Sequence, residues 1–267
     1  MKSAHLILLA ITMTFLAQPA FSQILTSPDL FYMGAPIDAR CFTSLSEGVN
    51  RTINLKTCGM HHDHLVKTEG YPDLIRDGFI GTAWKGKQEY EHGSDYYKSF
   101  AAGNGHFWIY SLSNGGGTGM FSSISLVKRE NHDSVTMQYV AGGDRCNGGI
   151  DDVALQGNHL TYSVNLTPYD LYQLGNNQTT KLKPYDNLAS CAICCVAKAI
   201  YSVDLTLSPK LNRIEMEKIN HAEDISDQGD REMCFNRIIV KNTQAGKTQL
   251  TIAELKKMVQ EFNVSCK

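Results

Sequence analysis

From Ser94 to Leu166 apolar and polar residues alternate, and turn residues interrupt them at short, regular intervals, the pattern of an antiparallel meander. Asn104-Gly105 lies between YYKSFAAG and HFWIYSL, and both residues of that pair tolerate the positive φ that a type I′ hairpin turn demands. NGGGTG (114–119), Asn131-His132-Asp133 and Gly157-Asn158 mark the later turns. Within the strands Val135, Met137 and Tyr139 fall on one side, as do Leu160, Tyr162, Val164 and Leu166, so these faces are the predicted core. The alternation of Tyr201, Val203, Leu205 and Leu207 with Ser202, Asp204, Thr206 and Ser208 predicts a further half-buried strand over 201–208.

Two helices carry start signals. LTPYDLYQLG offers Thr167 as N-cap, Pro168 at the first helical position, Asp170 toward the positive end of the dipole and Gly175 as the stop. Near the C-terminus Thr251-Ile252-Ala253-Glu254 reads as a capping box, and Ile252, Leu255, Val259 and Phe262 follow at helical spacing, with Lys256, Lys257, Gln260 and Glu261 on the polar side. The preceding FNRIIVKN is rich in β-branched residues and predicts a strand. RTINLKTC reads as a strand, 38–47 as a loop or short helix, and the polar stretch 176–187 as a linker or long loop that could subdivide the chain.

The first 22 residues add a compartment. Lys2, the apolar run HLILLAITMTFLA and Ala20-Phe21-Ser22 form a secretory leader, so residues 23–267 are expected to be one exported domain, secreted or periplasmic. All eight cysteines, Cys41, Cys58, Cys146, Cys191, Cys194, Cys195, Cys234 and Cys266, lie beyond that leader, and an exported chain uses them as disulfides. Cys41 with Cys58 and Cys234 with Cys266 are plausible local bonds; Cys146 then takes one of Cys191, Cys194 and Cys195, and Cys191 pairs more easily with Cys194 or Cys195 than the vicinal pair does with itself. The first cysteine is too far from the cleavage point for a lipid anchor, and no second apolar run approaches the roughly 18 residues of a membrane span. A net charge of −2 argues against a general grip on nucleic acid. If the host is eukaryotic, Asn50, Asn165, Asn177 and Asn263 head glycosylation sequons.

Candidate chemistry is sparse. GxSxG, HExxH and DxDxDG motifs are absent, and the glycines of NGGGTG do not space as a dinucleotide fingerprint. Cys191-Ala-Ile-Cys194 has CxxC spacing, yet its setting is not βαβ, and a redox role would require an accessible Cys191 of low pKa. His61-His62-Asp63-His64 is the densest imidazole group; on a strand only His62 and His64 share a side, so a metal site would need distant ligands such as His92, His106 or His132. The first hairpin gathers Tyr90, Tyr96, Tyr97, Phe107, Trp108 and Tyr110, which serve either as sheet core or as a stacking platform. GGDRCNGGIDD (142–152) surrounds a cysteine with four glycines, an arginine and three acids: Asp144, Arg145, Asp151 and Asp152 are the candidate binding residues, although the same residues could simply order the loop.

The fold expected is α+β, predominantly antiparallel β as a meander or sandwich-like sheet, with a capped C-terminal helix and disulfide staples. The function expected is non-enzymatic recognition of a protein or glycan by sheet-end loops, without cofactor. The alternative is a metal-dependent hydrolase near His61, His62 and His64.

Overall fold

The structure, a computed structural model, describes residues 27–43, 50–58, 66–68, 70–86, 92–176, 182, 187–226 and 229–266. In chain order these form β1 (Phe31–Tyr32), β2 (Ala35–Pro36), α1 (Arg40–Thr43), β3 (Arg51–Asn54), β4 (Val66–Thr68), α2 (Pro72–Arg76), β5 (Ile80–Lys85), β6 (His92–Gly103), β7 (His106–Asn114), β8 (Phe121–Asn131) and β9 (Ser134–Asp144). Then follow β10 (Ile150–Gln156), β11 (His159–Leu166), α3 (Pro168–Gly175), β12 (Ala197–Val203), β13 (Lys210–Met216), α4 (Asp230–Gln244), β14 (Gln249–Leu250) and α5 (Ile252–Ser265). The fold is α+β with large antiparallel sheets, a C-terminal helix and four disulfides, as the sequence predicts. The leader and His61, His62 and His64 lie outside the described residues, as does most of 176–187.

The predicted meander is divided. Strands β3-β9-β8-β7-β6-β5-β4 form a seven-stranded sheet and β10-β11-β12-β13-β14 a five-stranded one, so the chain changes sheet between β9 and β10. The Asn104-Gly105 turn takes positive φ at both residues (53° and 72°), as a type I′ turn requires.

Three apolar cores follow from period-two alternation. One face of the seven-stranded sheet packs Tyr97, Phe107, Ile109, Val127, Val135 and Met137 against Leu30, Ile37 and Phe42 of the N-terminal segment. Its other face sends Trp108, Ile124 and Leu126 against Ile150, Leu160, Tyr162 and Val203 of the five-stranded sheet. That same face of the five-stranded sheet continues as Leu166, Ala197, Ala199, Ile214 and Met216, and there α3, α4 and α5 cover it with Leu171, Tyr172, Phe235, Ile239, Leu255, Val259 and Phe262. The rings of Tyr172, Phe235 and Phe262 meet one another with centroids 4.8–6.4 Å apart, which ties the three helices together.

Several local readings change. Residues 230–244 are helix, not the strand predicted for FNRIIVKN: Phe235, Ile238, Ile239 and Thr243 are buried at steps of three and four, and the demand for a cover on the sheet outweighs the weak β preference of Ile238-Ile239-Val240. The strand predicted over 201–208 lies earlier, at 197–203, because Asp204 starts a turn whose carboxylate accepts the Thr206 amide at 2.8 Å and whose carbonyl accepts the Leu207 amide at 3.0 Å. In α5 the capping box is present, but Ile252 at its first position is 38 % exposed and Met258 takes its place in the buried stripe.

The two faces of β13 differ in consequence. Ile214 is fully buried in the helix-side core, so Ile214→Ala should lower unfolding free energy by about 2–5 kcal/mol. Arg213→Ala, one residue away on the open face, should change it by less than about 0.5 kcal/mol in the same urea titration.

Candidate functional site

The segment from Gly142 to Asp152 is the crossover between the sheets, and its composition follows from that path. A Cβ on Gly143 would lie 2.1 Å from Asn147 O, and one on Gly149 2.2 Å from Arg145 O, so the chain folds too tightly upon itself for any side chain there. Cys146 joins Cys195, just before β12, with Cα atoms 4.7 Å apart. The Gly148 amide donates to Asn165 O at 3.1 Å and the Asn165 amide to Gly149 O at 2.8 Å, which extends the β10-β11 pairing into the crossover. The Ile150 amide donates to Ser122 Oγ at 2.6 Å, and Tyr110 Oη donates to Ile150 O at 2.9 Å, binding β10 back to the first sheet.

The four candidate binding residues divide into two pairs. Asp144 and Arg145 engage each other, Arg145 Nε donating to Asp144 Oδ1 at 3.0 Å and Nη2 to Oδ2 at 3.2 Å, while Asp144 also accepts the Met120 amide at 2.9 Å. The guanidinium holds the Asp144 carboxyl below its ordinary range against the opposing effect of partial burial. Asp151 and Asp152 point instead to the face of the five-stranded sheet opposite its core. Their partners come from other strands: Asn165 Nδ2 donates to Asp151 Oδ2 at 2.8 Å, Ser163 Oγ to Asp152 Oδ2 at 3.0 Å, and Lys198 Nζ to Asp152 Oδ2 at 3.1 Å, with Asp151 Oδ2 3.6 Å from the same ammonium. No hydrogen bond or ion pair joins the two pairs to one another among the described residues.

Around Asp152 this face forms an open groove of about 330 Å³ lined by Gln156, Thr161, Ser163, Ile200, Asn212, Arg213 and Glu215. The register explains the gathering, since Asp151, Ser163, Ile200 and Arg213 lie in one row across four strands, and Asn165, Lys198 and Glu215 in the next. Arg213, which lines the groove, also donates from Nε to Glu215 Oε1 at 2.7 Å. Asp152 and Arg145 both hold positive φ (51° and 47°), a costly conformation for residues other than glycine.

Lys198, Arg213, Asn212 and Glu215 have no motif to mark them in the sequence; the alternation of Lys198, Arg213 and Glu215 with Ala197, Ala199, Ile214 and Met216 is the signal available, whereas Asn212, of the same parity as Ile214, sits at the register shift between β12 and β13. Asn165, the second sequon, is 8 % exposed and hydrogen-bonded to Asp151, so it cannot carry a glycan on the folded chain. Of the hairpin aromatics, Tyr96, Tyr97, Phe107 and Trp108 are core, and Tyr110 is partly buried. Among the described residues no group of three or more His, Cys, Asp and Glu is placed to hold a metal ion, and no helix is long and apolar enough to cross a membrane. Comparison with known proteins finds no matching family model, no similar curated protein and no matching solved structure.

The charge pair Asp152–Lys198 has a pH signature. The hydrogen bond from Lys198 lowers the Asp152 pKa, and on Lys198 the opposing pull of burial is outweighed by that hydrogen bond and the carboxylates of Asp152, Asp151 and Glu217, which raises its pKa. The stabilisation from Asp152 is therefore complete above the pKa it has in the unfolded chain, and is lost as pH falls through its lowered folded value. Lys198→Met should move the Asp152 carboxyl titration upward toward the ordinary aspartate range, read by carbon NMR of the side chain.

Proposed function

We propose that this chain is an exported binding protein that recognises a glycan, or a polar segment of a protein, on the open face of the five-stranded sheet, with Asp152 and Arg213 as its principal contacts. The observation that carries the reading is the asymmetry of that sheet. One face packs into the two cores, whereas the other keeps a groove in which carboxylate, guanidinium, amide and hydroxyl groups stand side by side. Neighbouring donors and acceptors of this kind satisfy the vicinal hydroxyls of a sugar, and the half-buried Ile200 between them supplies an apolar floor. The strained backbone at Asp152 is consistent with a residue held for contact. The leader and the four disulfides support export to an oxidising compartment.

A glycan array probed with the mature protein should yield ligands whose affinity falls at least about tenfold, or roughly 1.4 kcal/mol, in Asp152→Ala and in Arg213→Ala. Melting temperature should stay within a few degrees of wild type, since both side chains are largely exposed. Undiminished binding by both variants would remove the groove from the mechanism. Metal analysis of untagged protein purified without chelator should find well under one equivalent of zinc or copper; a stoichiometric ion lost in the His62→Ala, His64→Ala double variant would replace the binding role with hydrolysis.

A further inference from the structure

The four disulfides are not equivalent. Cys41–Cys58, Cys146–Cys195 and Cys234–Cys266 join residues 17, 49 and 32 apart in sequence, whereas Cys191–Cys194 closes a loop of separation 3. Cys195, the next residue, already fixes this segment to the crossover, so the short bond adds no connection between elements and removes the least entropy from the unfolded chain. Its architecture gives it little to hold.

Its chemistry is better developed. Cys191 is partly exposed while Cys194 is 1 % exposed, so of the two residues Cys191 is the one open to an incoming thiolate. The Cys191 amide donates toward Cys194 Sγ at 3.0 Å, a dipole positioned to stabilise negative charge on that sulfur as the bond breaks. Cys191 O lies 3.1 Å from the same Sγ, an acceptor for the S–H once it is protonated. Exposed apolar side chains lie on the bonded loop and on a segment hydrogen-bonded to the same stretch of backbone. Ile193, inside the loop, is 82 % exposed, and Met120 and Phe121 are 41 % and 37 % exposed. Both segments border one dipeptide, since the Arg145 amide donates to Met120 O and the Cys146 amide to Ala192 O, each at 3.3 Å. Exposed apolar side chains around an accessible disulfide fit an unfolded, cysteine-containing polypeptide.

We propose that Cys191–Cys194 is a thiol–disulfide exchange site, at which a thiolate of such a polypeptide attacks Cys191 to form a mixed disulfide, with Cys194 as the leaving sulfur. A substrate thiolate forms a bond to Cys191 Sγ, and the electron pair of the Cys191–Cys194 bond passes to Cys194 Sγ. A second substrate thiolate then attacks the substrate sulfur of the mixed disulfide and returns an electron pair to Cys191 Sγ. The substrate loses two electrons and two protons and becomes a disulfide; the protein gains both and holds two thiols. A small disulfide such as oxidised glutathione restores the bond by the reverse exchange and leaves as two thiols. This site is separate from the polar groove, and its success or failure leaves the binding role untouched.

The test uses the full mature chain with reduced glutathione, quenching with N-ethylmaleimide and mapping the label by mass spectrometry. Cys191 and Cys194 should be labelled at glutathione concentrations that leave the other three disulfides intact. Oxidised glutathione should form an adduct at Cys191 in Cys194→Ser at least about tenfold faster than at Cys194 in Cys191→Ser, following access to the sulfur. With oxidised glutathione present, wild type should accelerate oxidation of a reduced two-cysteine peptide carrying Leu and Phe, and Cys191→Ala/Cys194→Ala should lose that acceleration while keeping its other three disulfides. Opening of Cys146–Cys195 before or together with Cys191–Cys194, equal adduct rates, or peptide oxidation no faster than the uncatalysed reaction would each overturn the proposal. Should the double variant fail to fold, the labelling order in wild type still decides.

Discussion

The apolar face of the five-stranded sheet is asked to serve two covers at once, and the rest of the molecule depends on its doing so. Along β11 and β12 the residues Leu160, Tyr162, Val164, Leu166 and Ala197, Ala199, Tyr201, Val203 all point to that face. One end of the row meets the seven-stranded sheet and the other meets the helices, while Val164 and Tyr201 touch both cores. A slip of one residue by β11 against its neighbours would turn Leu160, Tyr162, Val164 and Leu166 to solvent and bring Ser163 and Asn165 inward, so this register is held more strongly than any single contact could hold it.

Polar groups inside the seven-stranded sheet are held by a different means. Asp95 is 6 % exposed and pairs with no cation among the described residues; it accepts instead from Thr43 Oγ1 at 2.6 Å, Trp84 Nε1 at 2.8 Å and Ser113 Oγ at 3.0 Å. These donors come from α1, β5 and β7, so the carboxylate locks the N-terminal helical turn onto the sheet at a point where Ser111 and Ser123 also leave little apolar surface. Net hydrogen-bond energies are near 1 kcal/mol, but a buried acceptor stripped of a donor costs about 1–3 kcal/mol, which makes such a cluster specify position more than it adds stability.

What could be read from the sequence is what local chemistry decides. The hairpin turns, the N-cap at Thr167, the capping box at Thr251 and the parity of the cysteines each act within a few residues or by counting, and each stands in the structure. The errors fall where distant packing decides. Ile238-Ile239-Val240 has the composition of a strand and becomes helix because a sheet face needs a cover; nothing within those three residues carries that requirement. The change of sheet after Asp144 was equally hidden, since the alternation on both sides is the same and only the glycines of 142–149 hint at a tight path. Asp151 and Asp152 could be named because they flank a conspicuous loop, but Lys198 and Arg213 join them through strand register, a relation between positions some fifty residues apart that no local pattern encodes.

That relation is set by the crossover disulfide. Cys146 precedes Asp151 and Asp152 by five and six residues, and Cys195 precedes Lys198 by three, so a bond between the two cysteines fixes how far β10 and β12 can shift along β11. The strand between them completes the fit. Ser163 and Asn165 are the polar-face residues of β11 that face the aspartates, and the small Ser163 leaves room for the aspartates and the lysine to meet above it while both donate to the carboxylates. A larger residue at 163 would wedge the ion pair apart without touching the core, because the two faces of β11 are independent. The Cys146–Cys195 bond thus does for the groove what alternation does for the core: it converts a covalent or periodic constraint in the chain into the placement of side chains that no neighbouring residue could position.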